Sequence, residues 1–180
     1  MNIIKYLIFL GIISFAYGQE KAYRKIFWSE ENSLSWKNFK GKSQNSNNKI
    51  AALSFCGIQY NSCILQGNVY KYKVKAFFVP QLSWVRVKNE HILKHEQLHF
   101  DIAEIFSRKL RKAFSKNPVE PKDSQVEIYQ PLFKEYMKMQ ELYDNETHHG
   151  ILEDINKEWE NKIHNELNQL SDYKKEEICY

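Results

Sequence analysis

The feature that most limits what this chain can fold into is a long helical stripe in its middle. From Asn89 to Phe114, apolar residues recur at helical spacing at Ile92, Ile102, Phe106, Leu110 and Ala113. That is the pattern of a helix with one face in a core. Pro118 and Pro121 close the stretch, since proline does not continue a helix. Inside it lies HEQLHFDIAE, His95 to Glu104, with His95 and His99 on the same side as Ile102, Phe106 and Leu110. Whatever packs on this helix must therefore cover, or open onto, two histidines.

The segments on either side point to an α+β domain, a small and mostly antiparallel sheet followed by this helix and two more. Val69 to Val79 alternates, with Tyr70, Tyr72, Val74, Ala76 and Phe78 on one face and Lys71, Lys73 and Lys75 on the other, as a half-buried strand does. Ile50 to Tyr60 is rich in β-prone residues, and Asn61-Ser62 predicts a tight turn after it. Pro80 ends the second strand, and Leu82 to Val87 is expected to extend the sheet beyond a bend. After the long helix, Asp123 opens a stretch with Tyr129, Leu132, Phe133, Tyr136, Met137 and Tyr143 on one side. Pro131 inside it predicts a kink or a fresh helix start. DNETHHG, residues 144–150, reads as a polar loop. A last helix places Ile151, Ile155, Trp159, Ile163 and Leu167 four apart.

The start, MNIIKYLIFLGIISFAYGQ, has one early lysine, an apolar run from Tyr6 to Phe15, and small residues at Ala16 and Gly18. This is the layout of a cleaved secretory signal over residues 1–18; the run is short for a bilayer span of about 20 residues. Residues 19–180 then form a single exported domain, periplasmic or secreted, with no membrane span after cleavage. The net charge of +4 is scattered, and without a basic stripe nothing argues for nucleic acid. The three cysteines, Cys56, Cys63 and Cys179, leave an odd thiol over. A turn at Asn61-Ser62 would also put Cys56 and Cys63 out of register for a bridge.

His95, Glu96 and His99 form HExxH. Residues four apart on a helix are neighbours, about 5–6 Å between Cβ atoms, so both imidazoles can hold one Zn²⁺ at about 2.0–2.1 Å. Glu96, beside the first histidine, can take a proton from a metal-activated water. With 6 His and 17 Glu in the chain, chance placement gives this motif roughly two times in a hundred, so context has to carry weight. The motif lies in a helix, faces the core, follows a sheet and belongs to an exported chain. A catalytic zinc usually keeps three protein ligands and one open position. Asp101 and Glu104 point elsewhere around the helix and are expected to support the site or lie on the surface. No glycine follows His99 to turn the chain back, which excludes a metzincin arrangement. His91 shares the histidine face as a flanking residue, and His164 is expected at the surface. From spacing alone the third ligand is open among His149, His148 and a carboxylate, the two histidines lying in a loop that could equally be a plain helix connection. Tyr143, a phenol able to steady an oxyanion, and Asp144, a carboxylate able to orient an imidazole, lie just before that loop.

Four segments, LSWKNFKG, FFVPQLSWV, LKHEQLHFDIAEIFSRKLRK and YDNETHHGILEDINKEW, resemble a family of exported bacterial proteins classed as domain of unknown function 922. That family is itself predicted to consist of zinc-dependent proteases. The resemblance implies a zincin-like domain and makes His149, the histidine before the glycine, the third zinc ligand. The expectation is thus an exported zinc metallopeptidase acting on a peptide or protein. His95, His99 and His149 hold Zn²⁺, Glu96 is the general base and Tyr143 an oxyanion donor. The alternative is a non-catalytic domain whose metal is closed by a fourth protein ligand.

Overall fold

The computed structural model describes residues 23–43, 50–65, 69–116 and 123–179; the expected signal segment, residues 1–18, lies outside them. The architecture is α+β. In chain order the strands are β1 (Ile26–Phe27), β2 (Ala52–Leu53), β3 (Cys56–Leu65), β4 (Val69–Phe78) and β5 (Trp84–Val85). Helices α1 (Glu90–Lys116), α2 (Asp123–Thr147) and α3 (Glu153–Gln169) follow, then β6 (Glu177–Cys179).

Strand β4 is the centre of the main sheet. It pairs along its whole length with β3, and on its other side with β1 at one end and β6 at the other, all antiparallel. Its alternation is used as expected. Tyr72, Val74, Ala76 and Phe78 are buried, while the lysines face outward, where Glu177 takes Lys71 and Lys73 at 2.7 and 2.6 Å. The expected tight turn at Asn61-Ser62 does not form. Asn61 pairs with Lys73 and Ser62 with Tyr72 in an unbroken β3. Trp84–Val85 does not extend the sheet either; it pairs with β2 in a separate two-stranded sheet. Cys63 and Cys179 flank Lys71 on opposite sides.

Helix α1 lies between the sheet and the other two helices. Asn89 caps it, its side-chain oxygen accepting the Ile92 N–H at 2.7 Å, which satisfies one of the free first-turn donors. Every residue from Phe100 to Arg108 is buried, so the core-facing stripe is wider than its apolar positions suggest. Phe78, Phe100, Phe106, Phe114, Ile102 and Ile163 fill the centre, each worth about 1.5–3 kcal/mol of burial. Asp101 and Glu104 are buried rather than surface residues, and both are occupied away from the histidines. Asp101 accepts from Trp28 Nε1 at 2.7 Å and from Gln97 Nε2 at 2.8 Å. Glu104 accepts from Arg108 Nε at 3.0 Å and Arg111 Nη1 at 2.8 Å. Arg111 also donates to the Val74 and Tyr173 carbonyls, tying α1 to β4 where neither β1 nor β6 pairs with it.

Helix α2 runs unbroken through Pro131, so the helix does not restart there. Glu127, whose carbonyl loses its partner, is exposed, and water can take its place. LSWKNFKG packs on FFVPQLSWV: Lys40 N–H and Gly41 N–H donate to the Pro80 and Ser83 carbonyls at 2.9 and 2.8 Å. A Cβ on Gly41 would lie 2.8 Å from Ser83 O, which explains a glycine at that crossing.

Candidate metal centre

The HExxH residues sit in the N-terminal half of α1, where the helix emerges from the core onto a cavity of about 600 Å³. His95 and Glu96 are buried and His99 nearly so. The expected loop 144–150 is mostly helix: α2 continues through Asp144 to Thr147, and only His148–Gly150 turn. The turn closes as a Schellman motif, with His148 N–H on the Asn145 carbonyl at 3.3 Å and His149 N–H on the Asp144 carbonyl at 2.8 Å. Glycine usually fills its left-handed position. Here His148 has φ 50°, His149 φ 56° and Gly150 φ 80°, and each non-glycine residue in that region costs about 1–2 kcal/mol. The backbone is held in this shape by its contacts with α1. Gly150 O accepts from His91 Nε2, and a Cβ on Gly150 would lie 2.7 Å from the His95 ring. Glycine is thus required at 150 both by φ and by close approach. His91, expected only to flank the site, fastens this turn to α1.

The consequence is that Asp144, in the last turn of α2, faces the histidine pair. Asp144 Oδ1 lies 3.2 Å from His95 Nε2 and 3.1 Å from His99 Nε2, and the two nitrogens are 3.1 Å apart. Ligand atoms on a tetrahedral zinc at about 2.0–2.1 Å stand about 3.3–3.4 Å apart, close to this triangle. His95, His99 and Asp144 are the described residues whose ligand atoms gather within 4.8 Å of one another. His149, expected in the triad, stands behind it. Its Nδ1 is 3.2 Å from the same Asp144 oxygen, and its side chain lines the cavity half-exposed. His148 is exposed, as is His164.

Both rings are held from behind. His95 Nδ1 donates to Asn156 Oδ1 at 3.2 Å, and His99 Nδ1 to Gln140 Oε1 at 2.5 Å. Gln140 is fixed in turn by donating to the His99 carbonyl at 2.9 Å. With Nδ1 the donor, Nε2 of each ring is the nitrogen turned to the centre. Tyr143 belongs to this backing rather than to the cavity. It is fully buried, stacks on His95 with ring centroids 4.6 Å apart, and donates to Asn156 Oδ1 at 2.5 Å. The hydroxyl expected to steady an oxyanion is thus buried against Asn156, and Tyr143 is not among the residues that line the cavity.

The charges follow from burial and from Asp144. Burial lowers His95 to about 4, so it is neutral near pH 7. Burial also opposes charge on His99, but the hydrogen bond and charge of Asp144 outweigh it and raise that group to about 9. Burial works against the Asp144 carboxylate too, yet the two histidines hold it well below the usual range. Burial raises Glu96 to about 7, with the charge of His99 and contacts from Ser54 opposing the shift. Glu96 Oε2 is buried with no hydrogen-bond partner. Such an orphan costs about 1–3 kcal/mol unless something completes it. Two imidazoles, one carboxylate and a buried glutamate with one free oxygen beside them suit a catalytic zinc, which would displace the proton shared by His99 and Asp144.

HExxH made His95, Glu96 and His99 findable, while Gln140 and Asn156 carry no spacing signal. Asp144 does share a helical face with Gln140, four residues earlier. Comparison with family models, curated proteins and solved structures finds no match to this chain.

Proposed function

We propose that this chain is an exported zinc-dependent hydrolase acting on peptide bonds, with His95, His99 and Asp144 as metal ligands. The observation that carries the reading is the triangle of donor atoms beside the unpartnered Glu96 Oε2, open to a cavity. The exported character rests on residues 1–18, and the peptidase reading on the four segments that resemble a family of predicted proteases.

A bound zinc would supply a Lewis acid and a water of lowered pKa. The residues of the chain do the rest. Asn156 and Gln140 keep the two imidazoles in their ligating tautomers. Glu96 takes a proton from the attacking water and returns it to the leaving nitrogen. His149, through Asp144, holds the carboxylate in place. Backbone strain at His148 and His149 is the kind of local cost that functional sites bear.

The test is cleavage of a mixed peptide library by the zinc-loaded chain, read by mass spectrometry beside Glu96→Gln. The expected result is cleavage that falls by about 10²–10⁴-fold in the variant while zinc content stays the same. Cleavage that persists in Glu96→Gln contradicts the assigned base. A zinc-holding wild type that cleaves nothing favours the metal-binding domain without catalysis.

A further inference from the structure

The cavity is built unevenly. Its histidines and carboxylates, His95, Glu96, His99, Asp144 and His149, lie at the metal end. Away from them it runs between two apolar walls, Leu53 and Phe55 from the β2–β3 segment and Phe133 and Met137 from α2. Among the described residues, no lysine or arginine lines it, and no acidic residue other than Glu96 and Asp144. Phe55 and Met137 are 45% and 51% exposed. On α2, Tyr129, Phe133 and Tyr136 form an aromatic row, with ring centroids 5.4 and 5.8 Å apart. Tyr136 then donates to the Cys56 carbonyl at 3.0 Å, bridging the two walls and setting their spacing.

We propose that this cleft is a side-chain subsite that selects peptides carrying a bulky apolar residue, aromatic or long aliphatic, beside the bond to be cleaved. The proposal rests on the hydrolase reading of the same site and names its substrate class. The physical reason is a difference in desolvation. A charged side chain entering here would lose water and find no partner. An apolar one gains about 0.8 kcal/mol for each buried CH₂ and covers wall residues that are otherwise wet. A concave, mostly apolar site with a few convergent polar groups at one end is also the usual form of a ligand pocket, and about 300–1,000 Å³ is its usual size.

The experiment uses two zinc-directed probes and one that ignores zinc. Phenylalanine hydroxamate and glycine hydroxamate are titrated calorimetrically into the zinc-loaded chain, its Met137→Glu variant and its Phe55→Ser variant. One change lies on each wall, so that a folding defect in either leaves the other decisive. Phenylalanine hydroxamate is expected to bind at least about ten-fold more tightly to the wild type. That advantage should be lost in both variants, with the glycine compound little changed. Equal affinity of the two compounds for the wild type, or a preference that survives both variants, overturns the proposal. N-phenyl-1-naphthylamine, a neutral apolar fluorophore, reads the cleft without metal. A fluorescence gain on the wild type that both variants abolish supports the cleft, and no gain overturns it. If neither hydroxamate binds while the fluorophore does, the hydrolase reading fails and the apolar cleft stands.

Discussion

The two halves of α1 each bury a polar cluster, and they are finished differently. In the C-terminal half, Glu104 has both oxygens occupied by Arg108 and Arg111, and the arginines donate further to the Leu167, Val74 and Tyr173 carbonyls and to Glu30. In the N-terminal half, one Glu96 oxygen has no partner, and three ligand-type atoms crowd to 3.1–3.2 Å around one point. A closed network holds elements together. An unfinished one beside a cavity is where a further atom can be bound. Both clusters sit on the same helix, a few turns apart, and both border a cavity, so the difference lies in the partners: carbonyls take up the arginine donors in one case, and Glu96 Oε2 finds none in the other.

The comparison breaks most visibly at its closed end. Glu104→Ala strands two buried guanidinium groups and is expected to cost about 3–5 kcal/mol in urea unfolding; a loss below about 1 kcal/mol would mean the network is not structural. At the open end the same kind of measurement should show little, because Glu96→Gln removes a carboxylate that burial disfavours. Gln140→Ala and Asn156→Ala sharpen the contrast. Each frees one imidazole from its backing, and zinc affinity is expected to fall about 10–100-fold in competition with a chelator. Unchanged affinity would show that the rings need no support. Gly150→Ala should cost about 1–2 kcal/mol for its left-handed φ and weaken zinc binding as well, since its Cβ would press on the His95 ring. A variant that loses stability but keeps full zinc affinity would separate the turn from the site.

The smallest effect is in pH. Burial lifts Glu96 from about 4.5 to about 7, so folding favours its protonated form. Its contribution to the metal-free protein is fully present below about pH 4.5 and is lost as pH rises through 7. The slope is at most about 1.4 kcal/mol per pH unit. Glu96→Gln should remove that slope, which parallel denaturation series on the two metal-free proteins would detect. Identical pH profiles would mean that Glu96 is solvated rather than buried.

How legible each region was in the sequence follows from how local its determinants are. Strand β4 could be read from its alternation because one face meets α1 and the other meets water. His95, Glu96 and His99 could be read because their geometry is set within one and a half helical turns. Asn61-Ser62 misled because two polar residues in mid-strand look like a turn, whereas β3 stays paired with β4 straight through them. The stretch after Tyr143 misled for a related reason. Its polar composition reads as loop, but α2 continues to Thr147 and stops only where two histidines accept a left-handed backbone that glycine would normally supply. That extension by one turn is what brings Asp144, and not His149, to the histidine pair. The contact spans 45 residues of sequence and depends on the α2 packing angle, which no spacing rule encodes.

The central claim is that His95, His99 and Asp144 hold a metal. Elemental analysis of the purified chain beside Asp144→Ala and His149→Ala tests it directly. About one zinc per chain is predicted in the wild type, lost in Asp144→Ala and largely kept in His149→Ala. Zinc kept in Asp144→Ala but lost in His149→Ala, or no zinc taken up by the wild type when it is supplied, would contradict the account.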